Sequence, residues 1–227
     1  MELQAIAKIH TPFRQKFGVP RQSHLLKELS CSIVFEKDFI DPNWIRGLEE
    51  ISHIWVIFGF HLNETKEKNP TTRPPRLGGT QRMGVFATRS PDRPNNLGLS
   101  LVKIERIETD QKTLKVHIKG GDFVHETPIY DLKPFHPEAD VCKDGRFGWI
   151  ENLENPSLEV VFDLMEGSVE VSETLKVEIS QILSHDPRPP HQSITKSKIY
   201  KMNYYPYEVE WFVDHEKVIV KSIFKDS

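Results

Sequence analysis

Residues 99–120 read LSLVKIERIETDQKTLKVHIKG. Two short runs, 99–108 and 113–120, alternate apolar and polar residues and are joined by Thr109-Asp110-Gln111-Lys112. Alternation of period two is the mark of a half-buried strand, and a short polar link between two such runs predicts a hairpin. The same character recurs upstream in LQAIAKIHTPF (3–13), SCSIVFE (30–36), HIWVIFGFHL (53–62) and RMGVFATR (82–89). These segments are short, rich in β-branched and aromatic residues, and bounded by turn residues. One helix is expected among them. Asp41 fits an N-cap and Pro42 a first-turn position, and Trp44, Ile45, Leu48 and Ile51 follow at helical spacing. Many short strands with little helix predict an antiparallel β-barrel for the N-terminal domain, so the fold class is mainly β.

After residue 141 the character changes. CKDGRFGWIENLENPS (142–157) reads as a linker. A strand, LEVVFDLM (158–165), and a helix, SETLKVEISQILSHD (172–186), come next, the helix carrying Leu175, Ile179, Ile182 and Leu183 on one side. DPRPP (186–190) stops the helix, because a residue before proline is pushed out of helical backbone. The tail, 199–224, reads as two or three strands around an Asp214-His215-Glu216-Lys217 turn. The expected division is therefore a barrel domain over 1–145 and a small α+β domain over 146–227, with no repeat of fixed period.

Composition narrows the class. The chain has 227 residues, 37% hydrophobic and 28% charged, which suits a soluble globular protein and not a disordered one. No apolar run approaches the roughly 18 residues of a membrane helix, and the N-terminus lacks a signal-peptide layout, so a cytoplasmic location is expected. Cys31 and Cys142 are two distant thiols, which suggests neither a disulfide framework nor zinc. The formal net charge of −3 argues against an indiscriminate nucleic-acid binder. Its distribution is uneven, however. Lys66, Lys68, Arg73, Arg76, Arg82, Arg89, Arg93, Lys103 and Arg106 face only Glu67, Asp92 and Glu105 in the same stretch, so a local basic surface is expected.

Four stretches carry the chemistry. In GVPRQ (18–22), Pro20 stiffens a loop that offers the planar fork of Arg21 and the amide of Gln22. GFHLNET (59–65) ends the most apolar strand in polar groups, where His61 and Asn63 alternate and would share a strand face. The third stretch, 71–100, sets two clusters of arginine, proline and glycine around one strand. Arg73-Pro74-Pro75-Arg76 suggests a stiff polyproline spacer, and 88–98 repeats the pattern with Arg89, Arg93, Asn95 and Gly98. Proline-stiffened arginine loops suit a preorganised anion site. The fourth, GGDFVHETPIYDLKPF (120–135), brings Asp122, His125, Glu126, Asp131 and Lys133 to the end of the barrel sequence. Carboxylates there would accept from an amino group, a ribose diol or an exocyclic base amine. No glycine fingerprint for dinucleotides, P-loop, nucleophile elbow or zinc-protease motif is present. Residue chemistry alone thus ends at a preorganised pocket of arginines, amides and carboxylates.

VPRQ (19–22), FHLN (60–63), RPPRLGG (73–79), RMGVFATRSPDRPN (82–95), GLSLV (98–102) and TPIYDLKP (127–134) resemble the TrmO-type tRNA methyltransferases, and QILSHDPRPP (181–190) and YEVEWFV (207–213) resemble that family's C-terminal domain. The resemblance spans nearly the whole chain. It implies a β-barrel enzyme that uses S-adenosylmethionine to methylate N6 of N6-threonylcarbamoyladenosine at position 37 in the anticodon loop of threonine-type tRNAs. It also implies a homodimer with the site near the subunit interface, without membrane or metal. By resemblance, the cofactor contacts fall on Pro20, Arg21, Gln22, His61, Leu62, Arg89, Leu99, Asp131, Leu132, Lys133 and Pro134. Arg73, Arg76, Arg82, Arg93 and Asn95 are the expected contacts to tRNA, since guanidinium forks match phosphate and carboxylate. Asp131, then Asp122, is the expected acceptor of the N6 proton. The chain departs from the family pattern at Asn96 and at His125-Glu126, both in variable loops. Two other classes would fit the same pocket: a non-catalytic S-adenosylmethionine-binding module, and an RNA-binding barrel.

Overall fold

The computed structural model describes residues 2–63, 69–151, 157–188 and 198–226, so Glu64, Thr65, Lys66 and Lys68 lie outside the described residues. The barrel strands are β1 (Ala7–His10), β2 (Ser30–Phe35), β3 (His53–Gly59), β6 (Leu97–Thr109), β7 (Leu114–Lys119) and β8 (Thr127–Pro134). They close in the order β1-β2-β7-β6-β3-β8, and every neighbouring pair is antiparallel. Alternation fills the interior: Ile9, Ile33, Ile54, Val56, Val102, Val116, Ile118 and Ile129 point inward and are at most 2% exposed. The hairpin over 99–120 forms as expected. Thr109 pairs with Leu114 across the turn, and the Asp110 N–H donates to the Thr113 carbonyl at 2.9 Å.

β4 (Thr71–Thr72) and β5 (Met83–Gly84) make a separate two-stranded ribbon outside the barrel. The expected strand over 82–89 is thus only two residues long. Val85–Ala87 turn into a 3₁₀ helix, because Val85 is buried and the chain must bend toward the next loop. The helix expected from Asp41 is also different. Asp41 does cap, accepting from the Asn43 N–H, but two 3₁₀ turns form, Pro42–Ile45 and Leu48–Glu50. Gly47 between them has φ +87°, a left-handed conformation that ends any continuous helix, and Trp44 is left 64% exposed.

The second unit follows α1 (Pro137–Asp140). It holds β9 (Glu159–Phe162), α2 (Glu173–Ser184), β10 (Tyr200–Tyr204), β11 (Tyr207–Asp214) and β12 (Lys217–Lys225). The sheet order is β10-β11-β12-β9, with β9 parallel to β12. Asp214 pairs with Lys217 at the expected turn, and the tail makes three strands. α2 starts on the Ser172 hydroxyl, which accepts from Leu175 N–H, and buries Leu175, Ile179, Ile182 and Leu183 as its spacing requires. An aromatic stack joins the two units: Phe17 lies on Trp211 at 6.5 Å, nearly coplanar, and Phe13 meets Tyr204 edge-on at 5.7 Å. No helix among the described residues is long and apolar enough to cross a membrane.

Candidate functional site

Three segments that lie far apart in sequence meet at the barrel wall between β3 and β6. The loop over Pro20–Gln22 runs into a 3₁₀ turn, Ser23–Leu25, and the Ser23 hydroxyl fastens it to the barrel by donating to the Leu101 carbonyl at 2.6 Å. Arg89 leaves the arginine-proline loop and donates from Nη1 to Gln22 Oε1 and from Nη2 to the Leu99 carbonyl, both at 2.8 Å. Gln22 in turn donates from Nε2 to the Arg21 carbonyl at 2.6 Å. One guanidinium therefore ties the first expected cofactor segment to the third, which a lysine's single ammonium cannot do with the same fork geometry.

These segments border a cavity of about 760 Å³, within the usual range for small-molecule sites. Its floor is aromatic: Phe58 meets Phe123 at 4.9 Å and Phe60 at 5.1 Å, both edge to face. Ile57, Leu62, Leu97 and Leu99 add apolar wall, and Arg21, Arg89, Arg93 and Lys16 set a cationic border. Asp122 faces the same space. Its Oδ1 accepts from the Ser100 hydroxyl at 2.6 Å. Burial pushes the Asp122 carboxyl up from its ordinary range, while the Ser100 hydroxyl and the Arg89 charge pull the other way. His61 also lines the cavity, its Nδ1 3.3 Å from Thr127 Oγ1, and burial lowers its pKa so that the neutral imidazole is favoured.

Gly98 is needed here for space. A Cβ at this position would overlap the Phe58 ring on the cavity floor. We expect Gly98→Ala to displace Phe58 and cost about 1–3 kcal/mol of stability, the usual penalty for overpacking. Denaturant unfolding with an unchanged slope would measure it, and an unaltered midpoint would show that the floor repacks freely.

Several expected positions fall elsewhere. His61 and Asn63 do not share a strand face: β3 stops at Gly59, and the chain turns, with Asn63 N–H donating to the Phe60 carbonyl at 3.0 Å. Both nevertheless line the cavity. Asn63 ties its border, donating to the Pro91 carbonyl at 2.9 Å and accepting from Lys16 Nζ at 2.7 Å. Arg73-Pro74-Pro75-Arg76 is not an extended spacer, because Pro75–Leu77 is a 3₁₀ turn closed by Gly78 at φ +68°. Arg73 is exposed and Arg76 half-buried beside Arg21, whose pKa its charge helps to lower. Arg82 donates to Thr71 Oγ1 at 2.9 Å and braces the ribbon. Arg93 spends Nη1 on the Thr88 and Val85 carbonyls, at 2.9 and 3.2 Å, while Asn95 is exposed at the loop tip. Asp131, Leu132, Lys133 and Pro134 are on β8 and do not line the cavity. Asp131 and Lys133 do share a face, 3.4 Å apart as an ion pair. Asp131 pairs in register with Ile57, which pairs on its other side with Leu99.

His10, His125 and Glu126 cluster on the outside of the barrel, with both imidazole Nε2 atoms at 3.1 and 3.5 Å from Glu126 Oε1. The group reads as an ion-pair cluster and not a metal site. The Thr11 N–H donates to His125 Nδ1 at 3.3 Å, so the neutral ring carries its proton on Nε2, where a metal would have to bind. Lys8 already occupies the other carboxylate oxygen at 3.1 Å.

The cavity thus combines an aromatic floor, an arginine border and the carboxylate of Asp122. This pocket is carried by a closed six-stranded antiparallel barrel joined to a small α+β unit. The chain belongs to the tRNA-methyltransferase O (TrmO) family: residues 8–141 match the family's N-terminal domain and 156–226 its C-terminal domain. A tRNA (adenine(37)-N6)-methyltransferase of Escherichia coli is 33% identical over 93% of each chain. A Pseudomonas aeruginosa protein named, provisionally, as an S-adenosylmethionine-dependent methyltransferase is 32% identical over 91% of this chain and 90% of its own. A crystal structure of TrmO from Pseudomonas aeruginosa superposes with a TM-score of 0.76 at 26% identity, covering 99% of this chain and 97% of that one.

Among the cavity residues that the sequence does not assign to the site are Lys16, Phe58, Ser100, Phe123 and Thr127. Ser100, Phe123 and Thr127 fall inside stretches singled out in the sequence but carry no role of their own there, Phe58 reads as a strand position, and the tertiary pairing brings them to one cavity.

Proposed function

We propose that the chain transfers a methyl group from S-adenosylmethionine to N6 of N6-threonylcarbamoyladenosine at position 37 of tRNA, giving the N6-methylated form. The observation that carries this reading is the Arg89 bridge between Gln22 and the Leu99 carbonyl in the wall of the 760 Å³ cavity. It joins the PRQ, TRS and GLS segments at one place. The names of the Escherichia coli and Pseudomonas aeruginosa relatives support the tRNA adenine target and the cofactor class.

The parts fit the ligand's chemistry. The aromatic floor suits an adenine ring and a sulfonium, through stacking and cation–π attraction. Arg21 and Arg89 suit the cofactor's carboxylate. Asp131 to Pro134 enter the reading because Asp131 is in register with cavity-lining Ile57, so a ligand extended along that rung reaches them. In the transfer, N6 forms a bond to the methyl carbon as the carbon–sulfur bond breaks, the sulfur keeps that electron pair, and N6 loses a proton. The N6 lone pair is delocalised, so alignment, desolvation and a proton acceptor are what the protein supplies. Asp122 lines the cavity and Asp131 does not, which supports ranking Asp122 first as the acceptor of that proton.

Arg73, Arg76, Arg82, Arg93 and Asn95 form the tRNA-facing side of this reading, with the exposed ring of Phe86 beside Arg93, 5.9 Å away, as a stacking surface for an unpaired loop base. The homodimer belongs to the same proposal. Incubation with methyl-labelled S-adenosylmethionine and tRNA with or without the threonylcarbamoyl group is the test. Label only in the modified tRNA is expected. Cofactor binding without label in any RNA would point to a non-catalytic cofactor-binding module. Salt-sensitive tRNA binding with no cofactor affinity would point to an RNA-binding barrel.

A further inference from the structure

Arg21 is in the cavity wall on the barrel, yet one of its contacts comes from the other domain. Its Nη2 donates to the main-chain carbonyl of Asp186 at 3.2 Å. Asp186 lies two residues past the end of α2 (Glu173–Ser184) and takes a left-handed conformation, φ +46°. A chain end just beyond a helix is prone to fraying, but this one is clipped. The Asp186 N–H donates to the Leu183 carbonyl at 3.1 Å. Its carboxylate receives both Nε and Nη2 of Arg188, at 2.7 and 2.8 Å, and Arg188 is only 8% exposed. A buried, bidentate guanidinium–carboxylate pair is the most directional clip that side chains offer. The partner it presents is well matched. The carboxyl end of a helix is its negative pole, so a cation placed there is stabilised. Arg21 needs such a partner, since burial disfavours its charge and Arg76 repels it, with the Asp186 charge opposing both. The other N–H groups of the Arg21 fork have no protein partner among the described residues.

We propose that Asp186 and Arg188 are positioning residues for Arg21, so that the C-terminal domain completes the ligand cavity of the barrel. The Arg188–Asp186 pair holds the Asp186 carbonyl, the carbonyl orients the Arg21 fork, and the fork meets the carboxylate of the ligand. This rests on the reading that Arg21 contacts S-adenosylmethionine.

The test is a double-mutant cycle on the full-length protein, with cofactor affinity measured by calorimetry. Arg21→Ala and Arg188→Gln are each expected to weaken S-adenosylmethionine binding roughly tenfold. The double variant is expected to be no weaker than Arg21→Ala alone, because Arg188 acts only through Arg21. In Arg188→Gln the loss should be larger in the KM for S-adenosylmethionine than in kcat. Additive losses, or unchanged affinity in Arg188→Gln while Arg21→Ala is weakened, would overturn the inference and leave the role of Arg21 standing. Unchanged affinity in Arg21→Ala would overturn both. If Arg188→Gln does not fold, Asp186→Asn replaces it in the same cycle, since asparagine tolerates the left-handed backbone and loses only the charge of the clip.

Discussion

Replacement of Arg89 by alanine should abolish useful cofactor binding while leaving the fold intact. Arg89 is exposed on its loop, so the melting temperature should move little. Its loss removes the donor to Gln22 Oε1 and the donor to the Leu99 carbonyl together. The PRQ loop then keeps only the Ser23 hydroxyl's tie to β6, at the Leu101 carbonyl, and the cavity loses a charge suited to a carboxylate. Losing hydrogen bonds from a charged group costs about 1.5–3 kcal/mol each, so we expect affinity for S-adenosylmethionine to fall by about 100-fold. Arg89→Lys should recover little, because one ammonium cannot bridge two acceptors held by a fork. Calorimetric titration decides the matter. Unchanged affinity in Arg89→Ala, with a native circular dichroism spectrum, would remove the cofactor reading from this wall of the cavity.

The barrel was legible in the sequence because its signal is local. Alternation over β2, β6 and β7 and the polar link at 109–112 follow from side-chain period alone. The amphipathic face of α2 was legible for the same reason, and Leu175, Ile179, Ile182 and Leu183 are the residues it buries. What failed was also local, but depended on one torsion. The expected helix after Asp41 has the right apolar spacing, and Gly47 at φ +87° divides it into two turns. The strand expected over 82–89 has strand-like composition, but the burial of Val85 bends it. Strand composition does not encode whether a partner strand is alongside.

The site shows a different limit. Arg21, Gln22, His61, Leu62, Arg89, Leu99 and Asp122 line one cavity, although up to about a hundred positions separate them in the chain. Spacing cannot bring such segments together. Arg21, Gln22, His61, Arg89 and Asp122 stand out as polar groups in breaks between strands, Leu62 and Leu99 enter only through the family resemblance, and it is the barrel's register that gathers them. In the sequence Asp131 ranks ahead of Asp122 as proton acceptor, and only the structure tells their surroundings apart. The pleat separates them: Asp131 is on the outer face of β8, paired with Lys133, whereas Asp122 follows β7 and faces the cavity beside Ser100.

That separation makes the roles of the two acids testable, and the test turns on pH. Burial raises the Asp122 pKa, so the folded protein holds this proton more tightly than the unfolded chain, whose aspartates titrate near 3.9. The folded state then binds more protons than the unfolded state between the unfolded and folded pKa values. Stability contributed by this residue therefore falls as pH rises through that interval and stays low above it. Asp122→Asn removes the titration and keeps an acceptor for the Ser100 hydroxyl. The variant should be at least as stable as the parent at pH 7, and its advantage should vanish below the unfolded pKa. Activity should move the opposite way. A positioned proton acceptor is worth about 10²–10⁴ in rate, so methyl transfer at saturating substrates should drop by roughly that factor, with S-adenosylmethionine affinity changed only a few-fold. Asp131→Asn should leave the rate within a few-fold, since that carboxylate does not line the cavity. A large rate loss in Asp131→Asn with none in Asp122→Asn would reverse the assignment. A loss of cofactor affinity in Asp122→Asn at unchanged maximal rate would instead make this carboxylate a binding group for the cationic part of the cofactor. The ratio of rate loss to affinity loss in Asp122→Asn tells the two roles apart.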